Sequence, residues 1–475
     1  MDLSQPGINV SATLHDLFNR ARAAYGAARM PDVQARREAL SKLERLLTEN
    51  VEEIATAISA DFSNRSVHET KLLEIFPSRT AVSDARRHVK SWMKTRRSWA
   101  SFWFLPARTE LRPQPLGVIG IIVPWNYPVF LAVAPLAGAL AAGNRVMIKM
   151  SEFTPRTGAL FAQLVAKYFA TDQVSVVNGG ADVAEQFSSL PFDHLLFTGS
   201  TEVGKHVMRA AANNLTPVTL ELGGKSPAII GPECKIDEAA EKILFGKCLN
   251  AGQTCIAPDY VLLPRAQEQA FATAAQRVVA RLYPTLAKNP DYTSIVSPRH
   301  IERLNGYLQD AAARGAMVLP ISPANESLAG TQKIAPTLIA NVNDDMRVMH
   351  EEIFGPILPL VPYDNLDQAI GYVNARPRPL ALYYFGNFDD HIQRVLNETV
   401  AGGVTVNDAL LHVSQDHLPF GGVGPSGMGS YHGKFGFDTF SKLKPIYHQP
   451  ALNGLHLFKP PYGARFESLI KFLLK

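Results

Sequence analysis

The sequence predicts an α/β protein: a doubly wound parallel sheet with a second α/β region behind it. Three observations predict this. Between residues 116 and 222, short apolar runs alternate with helical stretches, as in a parallel sheet with crossover helices. The alternation resumes after Gly224 with a second set of strands and helices. With 475 residues, 46% hydrophobic and 19% charged, the chain is long enough for two or three domains with large cores.

Pro31 and Asp32 open a long helical pattern in which Leu40, Leu43, Leu47, Val51, Ile54 and Ile58 keep to one face. A basic, aromatic connector spans 86–115. Its Trp92, Trp99, Trp103 and Phe104 are expected to pack against another domain or subunit rather than nucleic acid. Strands are then expected over 116–123, 145–150, 174–177, 194–197 and 217–222, with helices over 129–142, 156–169, 181–188 and 202–212 between them. The second region carries helices over 238–249 and 266–282 and strands over 260–263, 334–339 and 357–361. A strand suited to cross-subunit pairing is expected at 441–448.

Composition excludes several classes. A net charge of +4 without a long basic run gives nucleic acid no electrostatic footprint. The longest apolar run, 127–143, is broken by Pro128 and Pro135 and falls short of the roughly 20 residues of a membrane span, so it reads as a buried helix. The first 25 residues lack the apolar core of a signal peptide. Three cysteines without a CxxC pair do not make a disulfide framework or a zinc site, and a cytoplasmic setting is expected. The histidines show no HxxxH or HExxH spacing, so no metal site is expected. The tail over 466–475 is short and amphipathic, suited to capping a subunit or a pocket.

The chemistry is concentrated in Glu221-Leu-Gly-Gly-Lys-Ser-Pro and Gly252-Gln-Thr-Cys255. A thiol is the strongest soft nucleophile among side chains, and a neighbouring glutamate can take protons first from the thiol and then from water. Together they can form and hydrolyse a thioester. Asn126, between prolines in Pro124-Trp-Asn-Tyr-Pro128, is either an oxyanion donor or part of a plain turn. Gly199, Ser200 and Gly204, in Phe197-Thr-Gly-Ser-Thr-Glu-Val-Gly204, form either an anion site at a helix start or an ordinary capped helix. Lys149 and Glu152 follow a strand end and suit ribose hydroxyls, or else form a solvated salt bridge. Glu351-Glu352 precedes an apolar turn. The run Gly422-Val-Gly-Pro-Ser-Gly427 matches GxGxxG formally, but Pro425 spoils an amide cradle and the run reads as a backbone bend.

Taken together, ELGGKSP, GQTC, PWNYP, KMSE, FTGSTEVG, EEIFGP and LPFGGVGPSGMG resemble the aldehyde dehydrogenase superfamily over nearly the whole chain, in order and spacing. The ending Gly424-Pro-Ser-Gly-Met-Gly-Ser-Tyr-His-Gly-Lys434 resembles the class 3 branch, and within it the bacterial coniferyl aldehyde dehydrogenases. The resemblance implies Cys255 as nucleophile, Asn126 and the Cys255 backbone N–H as oxyanion donors, and Glu221 as the base for deacylation. It implies Trp125, Lys149 and Glu152 near the adenosine half of NAD, with NADP also possible. Gly199, Ser200 and Gly204 would lie at the pyrophosphate, Glu352 on the nicotinamide ribose and Phe354 beside the ring. Tyr127 would wall an apolar substrate pocket.

The resemblance further implies a cofactor domain over 1–96 and 116–223, a catalytic domain over 224–423, a bridging and oligomerisation hairpin over 97–115 and 438–455, a tail over 456–475, and a homodimer. The expected substrate is an aromatic aldehyde such as coniferaldehyde. Medium- or long-chain aliphatic aldehydes are the alternative, as is a cysteine acyltransferase or hydrolase from another class.

Overall fold

The computed structural model describes residues 1–3 and 9–474 and holds three sheets. The first runs Gly427–Met428, Val218–Glu221, His194–Thr198, Val118–Ile122, Arg145–Lys149, Val174–Val177. Its strands are parallel except for Gly427–Met428 at one edge. The winding reverses between Val118–Ile122 and His194–Thr198, the switch point where open parallel sheets hold ligands. Register places Lys149, Ile122 and Phe197 on one rung and pairs Thr198 with Glu221 one rung further on.

The helix Phe130–Ala142 is buried at every residue from Leu131 to Ala142, which accounts for the longest apolar run. It packs against the helices Phe76–Trp92 and Val33–Thr48. Among the described residues, no helix is long and apolar enough to cross a membrane.

The long helical pattern after Pro31 is two helices, Val33–Thr48 and Val51–Asp61. Asp32 caps the first by accepting from the Ala35 N–H at 2.8 Å. The break comes at Asn50, whose Nδ2 turns back to the Leu46 carbonyl at 2.8 Å and so competes with helix continuation. Leu40, Leu43, Leu47, Ile54 and Ile58 are all buried in one core, so the apolar stripe survives the break. Periodicity reports the buried face and is blind to a short interruption.

The second sheet runs Met317–Pro320, Thr337–Ala340, Ile357–Tyr363, Tyr260–Pro264, Pro227–Ile230, Ala381–Phe385, Gly403–Val406. It is parallel apart from its first pair. Met317–Pro320, Pro227–Ile230, Ala381–Phe385 and Gly403–Val406 were not anticipated. The third sheet is antiparallel, Arg96–Ser98, Arg108–Pro115, Ser441–His448. The last strand lies where expected and pairs along its whole length with Arg108–Pro115. In the connector, Trp92 is buried against Phe437, with ring centroids 5.7 Å apart, whereas Trp99 is 96% exposed and Phe102 and Trp103 are exposed beside it.

Candidate active site

The loop that carries Cys255 has an unusual backbone. After the helix Ile236–Cys248, the residues Asn250, Ala251 and Gly252 take φ of 51°, 51° and 73°. Left-handed backbone costs a residue with a Cβ roughly 1–2 kcal/mol, so a run of three must be held from outside. Glu69 supplies one anchor: both carboxylate oxygens accept from the Asn250 N–H at 3.2 Å, and one accepts from Thr293 Oγ1 at 2.7 Å. Gln253 supplies another, donating from Nε2 to the Asn250 and Ser294 carbonyls at 2.9 and 3.0 Å and accepting from the Val296 N–H at 3.0 Å.

Asn126 reaches this loop from the first sheet, four residues past the strand Val118–Ile122. Its buried amide Nδ2 donates to the Gln253 carbonyl at 3.3 Å. The Tyr127 hydroxyl is 2.6 Å from Thr254 Oγ1, and Arg65 covers the Tyr127 ring at 4.8 Å, so the residue expected to wall the substrate also braces the nucleophile loop. Arg65 Nη1 donates to the Asn126 carbonyl at 3.0 Å and to Glu74 Oε1 at 2.7 Å. Glu74 Oε2 in turn accepts from the N–H groups of Val129 and Phe130 at 2.7 and 3.0 Å, at the start of the buried apolar helix. Burial pushes the Glu74 carboxyl up and Arg65 opposes it.

Two acids face the thiol. Glu221 is 2% exposed, neither of its oxygens has a hydrogen-bond partner among the described residues, and burial raises its carboxyl well above the usual range. Glu352 lies against the Gly223 backbone, where a Cβ would fall 2.0 Å from its Oε2. Burial, with Asp259 in support, pushes Glu352 up to about 8, against the pull of a Gly224 backbone hydrogen bond and Lys225. The turn that presents it is tightly held. Lys225 Nζ pairs with Asp259 and donates to the Val348 and Glu351 carbonyls at 2.7 and 3.1 Å. Asp259 accepts from the Ile353 N–H at 3.0 Å, and Arg303 donates to the Glu352 and Ile353 carbonyls at 3.1 and 2.8 Å. This frame holds Phe354 at φ 49°, its ring 5.3 Å from Trp125. Glu351, by contrast, is engaged by Tyr307 at 2.8 Å and Arg347 at 3.0 Å, so of the acidic pair only Glu352 turns to the site.

Cys255 keeps some exposure, yet its thiol is pushed up to about 12, first by burial and then by Glu352 and Glu221. None of the groups that set its ionisation is a cation, so the resting thiol is protonated. Cys248 is fully buried in the helix, the small hydrophobe the sequence suggested.

The cofactor-side residues lie at three adjacent strand ends. Lys149 is 2% exposed, donates to the Met150 carbonyl at 2.8 Å and lies 3.6 Å from the exposed Glu152 carboxylate, which is not a solvated pair. Ser200 caps the helix Thr201–Ala212, accepting from the Val203 N–H at 3.4 Å. A Cβ at Gly204 would meet Leu222 at 2.7 Å, so glycine lets this helix settle onto the strand end. Trp125 follows the strand between the two. A helix N-terminus for pyrophosphate, an amine and carboxylate for ribose hydroxyls and an indole beside them fit NAD(P) at the switch point. The 422–427 run is a tight turn closed by Gly427 N–H to the Gly424 carbonyl at 3.2 Å, and Ser426 accepts from the Leu222 N–H at 3.1 Å. It serves the sheet edge rather than a phosphate.

Cys255, the buried acids Glu221 and Glu352 and the Asn126 amide come together beside the switch point of the first sheet. A thiol, acids and a dinucleotide-shaped set of strand ends are the parts of an oxidoreductase. The chain belongs to the aldehyde dehydrogenase family, whose model matches residues 9–446, and it is an NAD(P)-dependent aldehyde dehydrogenase. It is 55% identical to the probable coniferyl aldehyde dehydrogenase of Pseudomonas aeruginosa, over 98% of this chain and 97% of that protein. It is 52% identical to the coniferyl aldehyde dehydrogenase of a Pseudomonas species, over 92% and 91% of the two. A solved structure, the substrate-bound state of Staphylococcus aureus AldH, superposes with a TM-score of 0.91 at 37% identity, covering 97% of this chain and 99% of the other.

The sequence reading missed Arg65, Glu69, Glu74 and Asn250, and quoted Gln253 within GQTC without giving it a role. Asn250 stood just before that motif and was within reach. Arg65, Glu69 and Glu74 look like ordinary charged residues around short helices until the fold buries them.

Proposed function

We propose that this enzyme oxidises aromatic aldehydes such as coniferaldehyde to their acids, with NAD as the preferred cofactor. The observation that carries the substrate class is the identity of 55% and 52% to proteins named for coniferaldehyde, over almost the full chain. The site agrees in character. No cation is among the groups that act on the Cys255 thiol, so nothing there matches a substrate carboxylate. Glu152, an exposed carboxylate near Lys149, suits ribose hydroxyls and repels a 2′-phosphate.

In this reading the Cys255 sulfur adds to the aldehyde carbon, and the thiol proton passes to a neighbouring carboxylate. The developing oxyanion takes hydrogen bonds from Asn126 Nδ2 and the Cys255 N–H. Bound NAD(P) supplies the hydride acceptor; Trp125, Lys149, Glu152, Gly199, Ser200 and Gly204 would hold its adenosine and pyrophosphate, and Glu352 and Phe354 its nicotinamide half. Loss of hydride leaves a Cys255 thioester. Glu221 then takes a proton from water, the hydroxide attacks the acyl carbon, and the acid departs as the sulfur recovers its proton.

A kcat/KM panel of coniferaldehyde, benzaldehyde, hexanal, decanal and succinic semialdehyde with each cofactor tests the assignment, since that ratio measures discrimination. Coniferaldehyde with NAD should lead. A decanal value above it, or succinic semialdehyde ahead of both by about tenfold, overturns this pocket reading.

We also propose the division into cofactor (1–96, 116–223), bridging (97–115, 438–455), catalytic (224–423) and tail (456–475) segments, a cytoplasmic location, and a symmetric homodimer. Support for the dimer comes from two unpaired edges, Ser441–His448 on the third sheet and Gly403–Val406 on the second. Beside the former, Trp103, Phe104, Tyr447, Leu455 and Phe458 line a groove of about 200 Å3. Light scattering should give twice the 52.0 kDa chain mass. A mass of one chain across a wide concentration range refutes it.

A further inference from the structure

An amide can serve an oxyanion only if it is held at a fixed place relative to the nucleophile. Here the two come from different sheets: Asn126 follows Val118–Ile122, whereas Cys255 precedes Tyr260–Pro264. Asn250 joins their loops. Its Nδ2 donates at 3.1 Å to the Asn126 carbonyl and at 3.1 Å to the Gln253 carbonyl, so one buried NH2 spans the main chains of both. The backbone at Asn250 is left-handed, which asparagine tolerates better than most residues, and Glu69 fixes it through the Asn250 N–H. The Gln253 carbonyl thus has two donors, Asn250 at 3.1 Å and Asn126 itself at 3.3 Å.

We propose that Asn250 is a positioning residue for the oxyanion hole: it sets the register of Asn126 against Cys255 and shares the Gln253 carbonyl with the Asn126 amide, so that this carbonyl holds the amide less tightly. The proposal rests on the role assigned to Asn126 above. Without Asn250, the Gln253 carbonyl keeps Asn126 as its side-chain donor and draws that amide away from the reacting oxygen. The Asn126 loop also loses one of its two carbonyl ties and keeps only Arg65.

Asn250→Gly is the informative variant. Glycine adopts the same backbone freely. Both carbonyls keep a donor, Arg65 on one and Asn126 on the other, so the fold should survive. Asn250→Asp is the second variant, with the same shape but no N–H donors. Three quantities are read with benzaldehyde and NAD: kcat/KM, the KM values, and the rate of Cys255 alkylation by iodoacetamide, which needs no oxyanion donor.

Asn250→Gly and Asn250→Asp should lower kcat/KM about 10- to 100-fold, mainly through kcat, while alkylation stays within about threefold. In an Asn126→Ala background, Asn250→Gly should cost less than about twofold more, because it acts through Asn126. A full multiplicative loss in the double variant, or an equal fall in alkylation, overturns the proposal. Asn126→Ala separates the two readings: unchanged activity in that single variant defeats the oxyanion role itself, whereas unchanged activity in Asn250→Gly alone defeats only the positioning role.

Discussion

Replacing Cys255 with alanine is expected to lower aldehyde oxidation by on the order of 10⁴-fold or more, because no other group can take over the covalent step. Cys234→Ala and Cys248→Ala should retain activity. Cys248 is fully buried in a helix, and burial holds its thiol, like that of Cys234, above the usual range. The measurement is NADH formation at 340 nm with benzaldehyde or coniferaldehyde. Substantial turnover by Cys255→Ala would end the mechanism. The protonated resting thiol adds a second expectation. With the free enzyme, alkylation of Cys255 should speed up as pH rises above 8, since burial, Glu352 and Glu221 all disfavour the thiolate.

Glu221→Gln should separate acylation from deacylation. The variant is expected to release one burst of NADH per active site and then turn over about 10²- to 10⁴-fold more slowly, the range for loss of a positioned general base. The pH dependence follows from burial. Burial raises the carboxyl well above its ordinary value, which favours the protonated form and moves the onset of its action as a base to higher pH. Where deacylation limits turnover, wild-type kcat should therefore climb about tenfold per pH unit below the raised pKa and flatten above it. The Gln variant should lose that climb. Unchanged steady-state turnover would move the base elsewhere, with Glu352, itself pushed up to about 8, the first residue to test. Glutamine keeps the shape, and Glu221 has no hydrogen-bond partner among the described residues to leave stranded, so the variant should fold normally.

Much of this protein was legible in one dimension. The strands Val174–Val177 and Ser441–His448 and the helix Ala181–Ser188 lie where the apolar pattern put them, because each is a short apolar or amphipathic run bounded by turn residues. The reactive residues were legible for a chemical reason: a thiol and a carboxylate among glycines have few other uses, and their motifs stand in a recognisable order. The aromatic connector could be flagged as unusual, though not assigned a partner.

What only the tertiary structure decided is electrostatic state and relative position. The same Glu-Glu sequence yields one carboxylate spent on Tyr307 and Arg347 and another laid on Gly223, because the backbone at Glu351 is extended and points consecutive side chains opposite ways. The Cys255 thiol is held protonated in the fold, and its sequence motif could not show this, since ionisation depends on the charges and burial that non-local packing supplies. The brace of Arg65, Glu69, Glu74 and Asn250 joins residues up to 181 positions apart, and nothing local marks Arg65, Glu69 or Glu74 as part of it. The sequence marked the groups that we propose carry the chemistry. The folded chain decided their protonation and spacing, because both arise from contacts between segments that share no sequence neighbourhood.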